Sequence, residues 1–294
     1  MSKSPVHAFA EACRVTTGKG FALSHYPTDD NGGLDLGKKD GEAMLEATVA
    51  RIAEQQGRLY ADAHWSVLCI FQATDTAGKD GAIKHVFSGV NPAGMQVESF
   101  SAPSTLERSH GFLWRHDVAL PRRGRIGVHN RSWYEEVLVP RVQPAILQGS
   151  SIPPKLLGPE IWQERLEDIA SHERYLSRQG MLVLKFFLHL GEEEQRQRLL
   201  ARIEEPTKNW KFQAGDLADR SRYADYMAAY EDAIRATAAP HAPWFVIPAD
   251  RKWLARLLVA EVVASAMESL DLKFPELDSA GEAALLRARD ALAT

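Results

Sequence analysis

Five short apolar runs, each followed by a helix-forming segment, constrain the fold of this chain more than any other feature. The runs are WSVLCIF (65–71), MQVESF (95–100), RIGVHN (125–130), MLVLKFFLHL (181–190) and WFVIP (244–248). The first run lacks polar alternation, which is typical of a strand buried on both faces of a parallel sheet. Strands that alternate with helices predict an α/β fold with a doubly wound, five-stranded parallel sheet.

The segments between these runs carry the helices and one insertion. We predict helices over 41–62, 81–90, 104–120, 161–179, 192–205 and 251–270. The polar segment 204–233, which contains Trp210 and two lysines, breaks the alternation. In kinases with a phosphate-binding loop, a lid that closes over the phosphates occupies this position. We therefore predict an N-terminal arm (1–40), a main domain (41–275) with a helical lid at about 204–233, and a C-terminal helical tail (276–294).

The overall composition excludes several classes of protein. The net charge of −4 at pH 7 gives no indication of a nucleic-acid-binding or membrane-binding protein. The two cysteines, Cys13 and Cys69, are too few for a disulfide framework or a zinc site. The N-terminus has no signal-peptide pattern, and eighteen apolar residues never run together, so we expect a cytoplasmic protein without a transmembrane helix.

A Gly-Lys pair follows the first apolar run, in the loop ATDTAGKDG (73–81). The common phosphate-binding pattern is G-x-x-x-x-G-K-[ST], and here Ala73 replaces its first glycine while Asp80 replaces its Ser/Thr. A loop between a buried strand and a helix can turn successive backbone N–H groups toward an anion at the helix N-terminus. The predicted nucleotide- and phosphate-binding residues of this loop and helix are Ala77, Gly78, Lys79, Asp80, Gly81 and Lys84.

Two carboxylates make this loop unusual. Asp75 and Asp80 offer the hard oxygen ligands that suit Mg²⁺, and beside several phosphates they would repel the substrate unless metal ions lay between. The loop therefore predicts a site that works with more than one Mg²⁺, or one in which a carboxylate faces an acceptor phosphate; Asp75 is the predicted metal ligand. At the end of the third apolar run, Asn130 is the candidate for holding Mg²⁺ or water, and Arg131 is the candidate for neutralising phosphate charge.

Basic residues are concentrated near these strand ends and in the predicted lid. They are Lys84, Arg115, Arg122, Arg123, Arg125, Arg131 and Arg141 in the first half, and Arg202, Lys208, Lys211, Arg220 and Arg222 in the lid region. The segment PRRGR (121–125) contains no acidic residue, which indicates a stripe that faces an anion. One nucleotide needs less positive charge than this, so we predict that the basic stripe binds a long polyanion.

Together, these segments resemble the polyphosphate kinase 2 family. The resemblance rests on QATDTAGKDGAIKHV, SGVNPAGMQVESFSAPS, FLWR, NRSWYEEVLVPRV, RIEEPTKNWKF and APWFVIPADRKW, which lie in order within residues 40–275. It implies a P-loop kinase-like three-layer sandwich with a helical lid, and reversible, Mg²⁺-dependent transfer of a terminal phosphoryl group between inorganic polyphosphate and AMP, ADP or ATP. It also implies assembly as a homodimer or homotetramer.

The resemblance assigns roles to individual residues. Asp75 and Lys79 match the family's modified Walker A loop, and Asn130 and Arg131 match its Walker B pair, so these four are the implied catalytic residues. Glu135 lies in the continuation of the second motif and is assigned to nucleotide binding; with Asn130 it resembles the single-domain class that accepts both AMP and ADP. The predicted polyphosphate-binding residues, from the stripe and the lid together, are Arg122, Arg123, Arg141, Arg202, Lys208 and Lys211.

Three alternatives remain open from the sequence. The chain could be an ATP-dependent nucleotide kinase of the same fold, although the basic stripe would then be oversized. It could instead be a non-catalytic polyanion-binding protein, but no aromatic-interleaved RNA-binding motif is visible, and we expect no nucleic-acid partner. A phosphohistidine intermediate would need an exposed nucleophile with an orienting partner; the candidates are His85, His110, His116 and His129.

Overall fold

The computed structural model describes residues 4–212 and 215–293, and one six-stranded sheet forms its centre. The strands are β1 (Arg14–Val15), β2 (Ser66–Gln72), β3 (Met95–Ser99), β4 (Ile126–Asn130), β5 (Met181–His189) and β6 (Trp244–Pro248). Their order is β1-β6-β5-β2-β4-β3, and every pairing among β2 to β6 is parallel. The predicted parallel α/β sheet is confirmed.

The predicted count of five strands is one too few. The additional strand, β1, pairs antiparallel with β6 through Arg14 and Val15. Two residues are too few to show the periodicity by which a strand is recognised in a sequence. The five predicted strands are all present, with bounds that differ by no more than one residue at either end.

Helices cover both faces of the sheet and form the outer layers of a three-layer sandwich. The helices are α1 (Pro5–Ala12), α2 (Lys38–Asp62), α3 (Lys79–Val86), α4 (Thr105–Arg108), α5 (Trp114–Asp117), α6 (Glu135–Val142), α7 (Pro144–Gln148), α8 (Ile161–Arg178), α9 (Glu192–Glu204), α10 (Gly215–Arg220), α11 (Tyr223–Thr237), α12 (Lys252–Glu268) and α13 (Ser279–Leu292). Short 3₁₀ turns lie at Leu23–His25, Pro92–Gly94, Pro154–Leu156 and Pro206–Lys211. Within the described ranges, no helix has the length and apolar content that crossing a bilayer requires.

The strand β2 shows how one sequence forms two cores. Successive side chains of a strand point to opposite faces, so Cys69 and Phe71 pack with α1, α2, α3 and α12 on one side. Leu68 and Ile70 pack with α6, α8 and α11 on the other side. All seven residues of β2 are buried, which confirms the prediction of a strand covered on both faces and explains its unbroken apolar run.

The predicted helix over 104–120 is wrong as a single element. The structure has two four-residue helices there, α4 and α5, with Gly111 between them. Ser104 and Glu107 form a capping box at the start of α4, and Ser109 Oγ donates to the Leu106 carbonyl at 2.7 Å. Glycine destabilises a helix by about 1 kcal/mol relative to alanine. Gly111 therefore favours a break in the helix, and the apolar residues of this segment lie on two short helices.

The predicted lid has an exposed part and a buried part. Residues 206–210 of the 3₁₀ turn are exposed and the end of α10 is half-buried, whereas α11 buries Tyr226, Tyr230 and Ile234. The N-terminal arm is likewise tied to the main domain, because Phe9 of α1 belongs to the core beneath α12.

Candidate active site

The register of the parallel strands brings distant segments to one edge of the sheet. Asn130, the last residue of β4, lies beside Phe71 of β2 and Ser99 of β3. The loop after β2 therefore meets the ends of β4 and β3 at the carboxyl edge, where ligands bind in open α/β sheets.

The loop 73–78 has a backbone that only a specialised turn adopts. Gly78 is the N-cap of α3 with φ +102°, a conformation that a side chain would strain. Thr76 also has a positive φ, of 67°, and a β-branched residue in that region is an outlier. Lys79 Nζ donates to the Ala73 carbonyl at 2.8 Å and to the Thr74 carbonyl at 3.4 Å. The lysine thus lies across the inside of the loop.

Each of the two loop carboxylates accepts a hydrogen bond from a residue at the end of β4. Arg131 Nη2 donates to Asp75 Oδ1 at 3.3 Å, and Asn130 Nδ2 donates to Asp80 Oδ1 at 2.7 Å. Arg131 has a positive φ of 67°, and backbone strain of this kind is concentrated at functional sites. The two motifs, fifty residues apart in sequence, therefore form one constellation.

Glu135 is the first residue of α6 and lies four positions after Arg131. Its Oε2 is 3.9 Å from Arg131 Nε, and the Gln72 amide, oriented to satisfy both of its ends, donates to Glu135 Oε1 at 2.8 Å. Burial raises the pKa of Glu135, while Arg131 and Lys79 oppose this change. Burial also lowers the pKa of Lys79, and the positive charge of Arg131 lowers it further. A bound anion would reverse this effect on the lysine, since opposite charge favours the charged form.

A buried ion pair anchors the segment that follows Arg131. Glu173 accepts hydrogen bonds from Lys185 Nζ at 2.5 Å, from the Tyr134 hydroxyl at 2.7 Å and from Trp133 Nε1 at 3.2 Å. Lys185 and Glu173 are almost fully buried, and burial lowers the pKa of Lys185. Because breaking such a pair leaves an uncompensated charge, this cluster holds the end of β4 firmly in place.

A cavity of about 590 Å³ opens in front of the loop. Of its lining side chains among the described residues, seven are basic and two are acidic, so it is locally positive although the whole chain carries a net charge of −4. The predicted site residues that line it are Asp75, Ala77, Gly78, Lys79, Asp80, Gly81, Asn130, Arg131, Arg202 and Lys208. The cavity thus brings the Walker A-like loop, the end of β4 and the start of the lid together.

Three basic residues of this cavity escaped prediction from the sequence. Lys252 and Arg256 lie four residues apart in the first two turns of α12, and Arg198 lies on α9. Burial lowers the pKa of Lys252, and the nearby Arg198, Lys208 and Arg256 contribute to this decrease. The spacing of Lys252 and Arg256 on a helix that begins just after a strand was the signal in the sequence that could have revealed them.

A second, smaller cavity of about 70 Å³ lies on the other side of the Asp75–Arg131 pair. It contains Glu135 and the rings of Tyr223, Tyr226 and Tyr230. Glu135 is therefore separate from the larger cavity, although it contacts the same arginine.

The predicted basic stripe does not form one surface. Arg122 and Arg123 precede β4, at the amino edge of the sheet, and Arg123 Nη1 donates to the His64 carbonyl there at 2.5 Å. Five residues of strand span about 17 Å, so the prediction that these arginines share the anion site of the loop is corrected. Arg125 precedes the same strand, and Arg115 is buried, where it donates to Glu136 Oε1 at 2.9 Å.

The remaining basic residues have other surroundings. Arg141 Nη2 donates to Asp232 Oδ2 at 2.5 Å, between α6 and α11, and lies outside the larger cavity. Lys84 is exposed on α3 and does not line the cavity. Arg220 and Arg222 donate to the backbone carbonyls of Glu192 and Val142. The side chain of Lys211 lies outside the described part of the structure, so its predicted role stays a prediction.

The histidines are placed unfavourably for a phosphohistidine intermediate. His116 and His129 are buried, and burial lowers the pKa of His116 to about 2 and that of His129 to about 4. His85 Nδ1 lies 2.7 Å from the Gly81 carbonyl, and His110 stacks on Trp114. These four side chains do not line the larger cavity among the described residues.

Comparisons with known proteins give matches over most of this chain. A family model described as polyphosphate kinase 2 matches residues 35–275. The ADP-polyphosphate phosphotransferase of Rhodopseudomonas palustris is 47% identical over 280 residues, which cover 95% of this chain and 96% of that protein. The AMP/ADP-polyphosphate phosphotransferase of Meiothermus ruber is 40% identical over 269 residues, which cover 92% of this chain and 97% of that protein.

A solved structure has the same architecture. The crystal structure of polyphosphate kinase 2 from Arthrobacter aurescens superimposes with a TM-score of 0.86 at 38% sequence identity. The match covers 97% of each chain, so the sheet, its helices and the cavity edge all lie within the shared fold.

Proposed function

This chain belongs to the polyphosphate kinase 2 family, and we propose that it transfers the terminal phosphoryl group of inorganic polyphosphate to AMP and to ADP, reversibly and with Mg²⁺. The observation that carries the proposal is the cavity itself: it joins a phosphate-binding loop to basic side chains on α9, on the following 3₁₀ turn and on α12. One nucleotide needs fewer cations than this. A polymer of phosphates would use all of them.

The chemistry requires positioning and charge neutralisation more than covalent catalysis. A phosphate oxygen of the acceptor nucleotide attacks the terminal phosphorus of polyphosphate. The bond from that phosphorus to the bridging oxygen breaks, and the shortened polymer leaves with the electron pair. Because the attacking oxygen is already an anion, no strong general base is needed.

Each catalytic side chain has a role in this proposal. Lys79 and the N–H groups of the loop hold the transferring phosphoryl group, and Arg131 neutralises the charge that develops on it. Arg202 and Lys208, with Lys252 and Arg256, bind the polymer. Lys211 is assigned to the same task from the sequence alone. Glu135, next to Arg131, orients that arginine toward Asp75, and its place in the motif supports the acceptance of both AMP and ADP.

The donor set of the cavity suits Mg²⁺. Asp75 and Asp80 supply hard carboxylate oxygens, and Mg²⁺ is usually held by one or two carboxylates together with substrate phosphates. The described residues contain no group of three or more His, Cys, Asp or Glu side chains arranged to hold a metal alone, which fits an ion that arrives with its substrate. Asp75, with Asp80 nearby, would hold the ion, which neutralises phosphate charge when bound. Asn130 serves Asp80 as a hydrogen-bond donor.

The test of this proposal is a donor-dependence assay. Purified protein is mixed with AMP, long-chain polyphosphate and Mg²⁺, without ATP, and the nucleotides are followed by chromatography. We expect ADP to form first and ATP afterwards. If the same assay with ADP in place of AMP yields ATP, whereas AMP yields no product, the polymer remains the donor and AMP is excluded as an acceptor. Turnover only with ATP as donor would identify a nucleotide kinase, and salt-sensitive polymer binding without turnover would identify a polyanion-binding protein.

The position of the polymer gives a separate prediction. We expect Lys252→Met to raise the KM for polyphosphate about tenfold and the KM for nucleotide much less, because a hydrogen bond to a charged group contributes about 1.5–3 kcal/mol. The increase should be larger at low salt, since ionic strength screens such pairs. Steady-state kinetics at two salt concentrations measure both effects.

Arg122→Met is the matched control for this prediction. Arg122 is exposed at the amino edge of the sheet, so this variant should behave as the wild type does. A larger effect from Arg122 than from Lys252 would place the polymer on the opposite edge and contradict the assignment of the cavity.

A further inference from the structure

Arg198, which lines the candidate active site, uses every donor of its guanidinium group. It lies on α9 and is about 6% exposed. Its Nη1 donates to the carbonyls of Thr76 and Ala77, both at 3.1 Å. Its Nη2 donates to the carbonyls of Ala249 and Asp250, at 2.7 and 3.0 Å. Nε donates to Glu194 at 2.7 Å, so all five N–H groups of the guanidinium have acceptors.

The two loop carbonyls that Arg198 contacts lie in the part of the loop where the backbone has positive φ angles. Thr76 has φ 67°, and a conformation of this kind persists only where its surroundings impose it. The C=O and N–H of a trans peptide point in opposite directions, so a fixed Ala77 carbonyl also fixes the direction of the Gly78 N–H. Arg198 therefore sets the orientation of two consecutive peptide planes, Thr76–Ala77 and Ala77–Gly78, which lead into the N-cap of α3.

The other two carbonyls give Arg198 a rigid base. The Asp250 side chain accepts from the Gly191 N–H at 2.8 Å and from Thr28 Oγ1 at 2.8 Å. Gly191 is the N-cap of α9, so the turn after β6 and the start of α9 are joined. The guanidinium spans the gap between this fixed turn and the phosphate-binding loop.

The helix that carries Arg198 also carries a cavity-lining cation. Arg202 follows one helical turn later on α9 and lines the cavity, and the helix ends at Glu204, directly before the exposed 3₁₀ turn of the lid region. A shift of α9 would therefore reach the loop through Arg198 and the polymer-binding face through Arg202.

We propose that Arg198 is a positioning residue that fixes the active conformation of the phosphate-binding loop and couples it to α9 and the lid region. The inference rests on the proposed function for its consequence in catalysis, but its structural content concerns the loop alone. Because four of its five donors are used on backbone carbonyls, Arg198 acts mainly through geometry, and a positive charge alone does not replace it.

Arg198→Lys separates geometry from charge. An ammonium group has three donors and no planar fork, so it cannot serve four carbonyls and a carboxylate. We expect kcat per folded molecule to decrease about 10²-fold, the effect of misplacing a reacting group by about 1 Å, with a much smaller change in the KM for polyphosphate. Amide hydrogen exchange of the segment 73–81, followed by mass spectrometry, should be about tenfold faster than in the wild type.

Two further variants complete the test. Arg196→Gln removes an exposed arginine of the same helix, which pairs only with Glu193 among the contacts described, and it should match the wild type in both measurements. Glu194→Ala removes the acceptor of Nε, together with a negative charge near Lys252, and should give the same changes in kcat and exchange at smaller size. It remains informative if Arg198→Lys does not fold.

The outcomes are distinct. Wild-type kcat or unchanged exchange of 73–81 in Arg198→Lys would overturn the proposal, as would an exchange increase spread evenly over the domain. If the wild-type protein itself shows no turnover, the proposed function fails, while the exchange comparison still decides whether Arg198 holds the loop.

Discussion

Lys79→Ala is expected to lower kcat about 10²- to 10³-fold and to leave the thermal midpoint nearly unchanged. Removing one preorganised donor from a developing negative charge has an effect of this size. In the structure, Lys79 Nζ contacts only the carbonyls of Ala73 and Thr74 among the hydrogen-bond partners described, so little of the fold depends on it. Burial and the positive charge of Arg131 lower its pKa, and a bound phosphate would favour its charged form. Initial rates with AMP and polyphosphate, together with thermal unfolding, measure both parts.

Lys39→Ala is the matched control for the lysine. Lys39 is exposed on α2, away from the residues that line the cavity, and its loss should change neither the rate nor the midpoint. The role assigned to Lys79 would be refuted by a Lys79→Ala variant that melts well below the wild type while its folded fraction retains full activity.

Asp75→Asn is expected to reduce turnover by about 10³-fold or more, and chelation of Mg²⁺ should abolish the activity of the wild type. The substitution keeps the shape of the side chain but removes a charged oxygen ligand of the metal. A bound metal ion stabilises the transition state by several kcal/mol. Since each 1.36 kcal/mol of the activation free energy is a tenfold change in rate, the expected loss is large. Because the charged ligand is lost, the variant should also bind Mg²⁺–nucleotide more weakly in a calorimetric titration, a readout independent of turnover.

Asp35→Asn provides the control for Asp75. Asp35 is exposed in the N-terminal arm, so its substitution should leave the rate and the Mg²⁺ dependence as they are. Full activity in EDTA, or an Asp75→Asn variant with wild-type turnover, would show that this carboxylate has no link to a metal.

The strands and the loop could be predicted because their signals are local. WSVLCIF is apolar throughout since β2 is buried on both faces, and ATDTAGKDG carries its glycine where the backbone requires a positive φ. The break in the segment 104–120 was also marked locally, by Gly111.

The basic stripe shows where reasoning from composition fails. Arg122 and Arg202 both look like polyanion ligands in the sequence, yet only Arg202 lines the cavity. The two residues lie at opposite edges of the sheet. Arg122 precedes β4 and lies at the amino edge, whereas Arg202 lies on α9, which follows β5 at the carboxyl edge. Lys252 and Arg256 show the converse case. They were not predicted to bind a polyanion, yet they line the cavity at the carboxyl edge of the sheet.

The sequence by itself determined the alternation of strands and helices and the position of the Gly-Lys loop, because each depends on residue types at short, fixed spacing. The contacts of Asp75 with Arg131 and of Asp80 with Asn130 join residues 56 and 50 positions apart, and they depend on the pairing of β2 with β4. Only the tertiary structure decided which cations share the cavity and that Arg198 supports the loop. Arg198 binds carbonyls of Ala77, 121 positions away in the chain, and of Ala249, 51 positions away. Every residue has a carbonyl, so such an interaction leaves no mark on the residue types of its partners, and it exists only once the chain has folded.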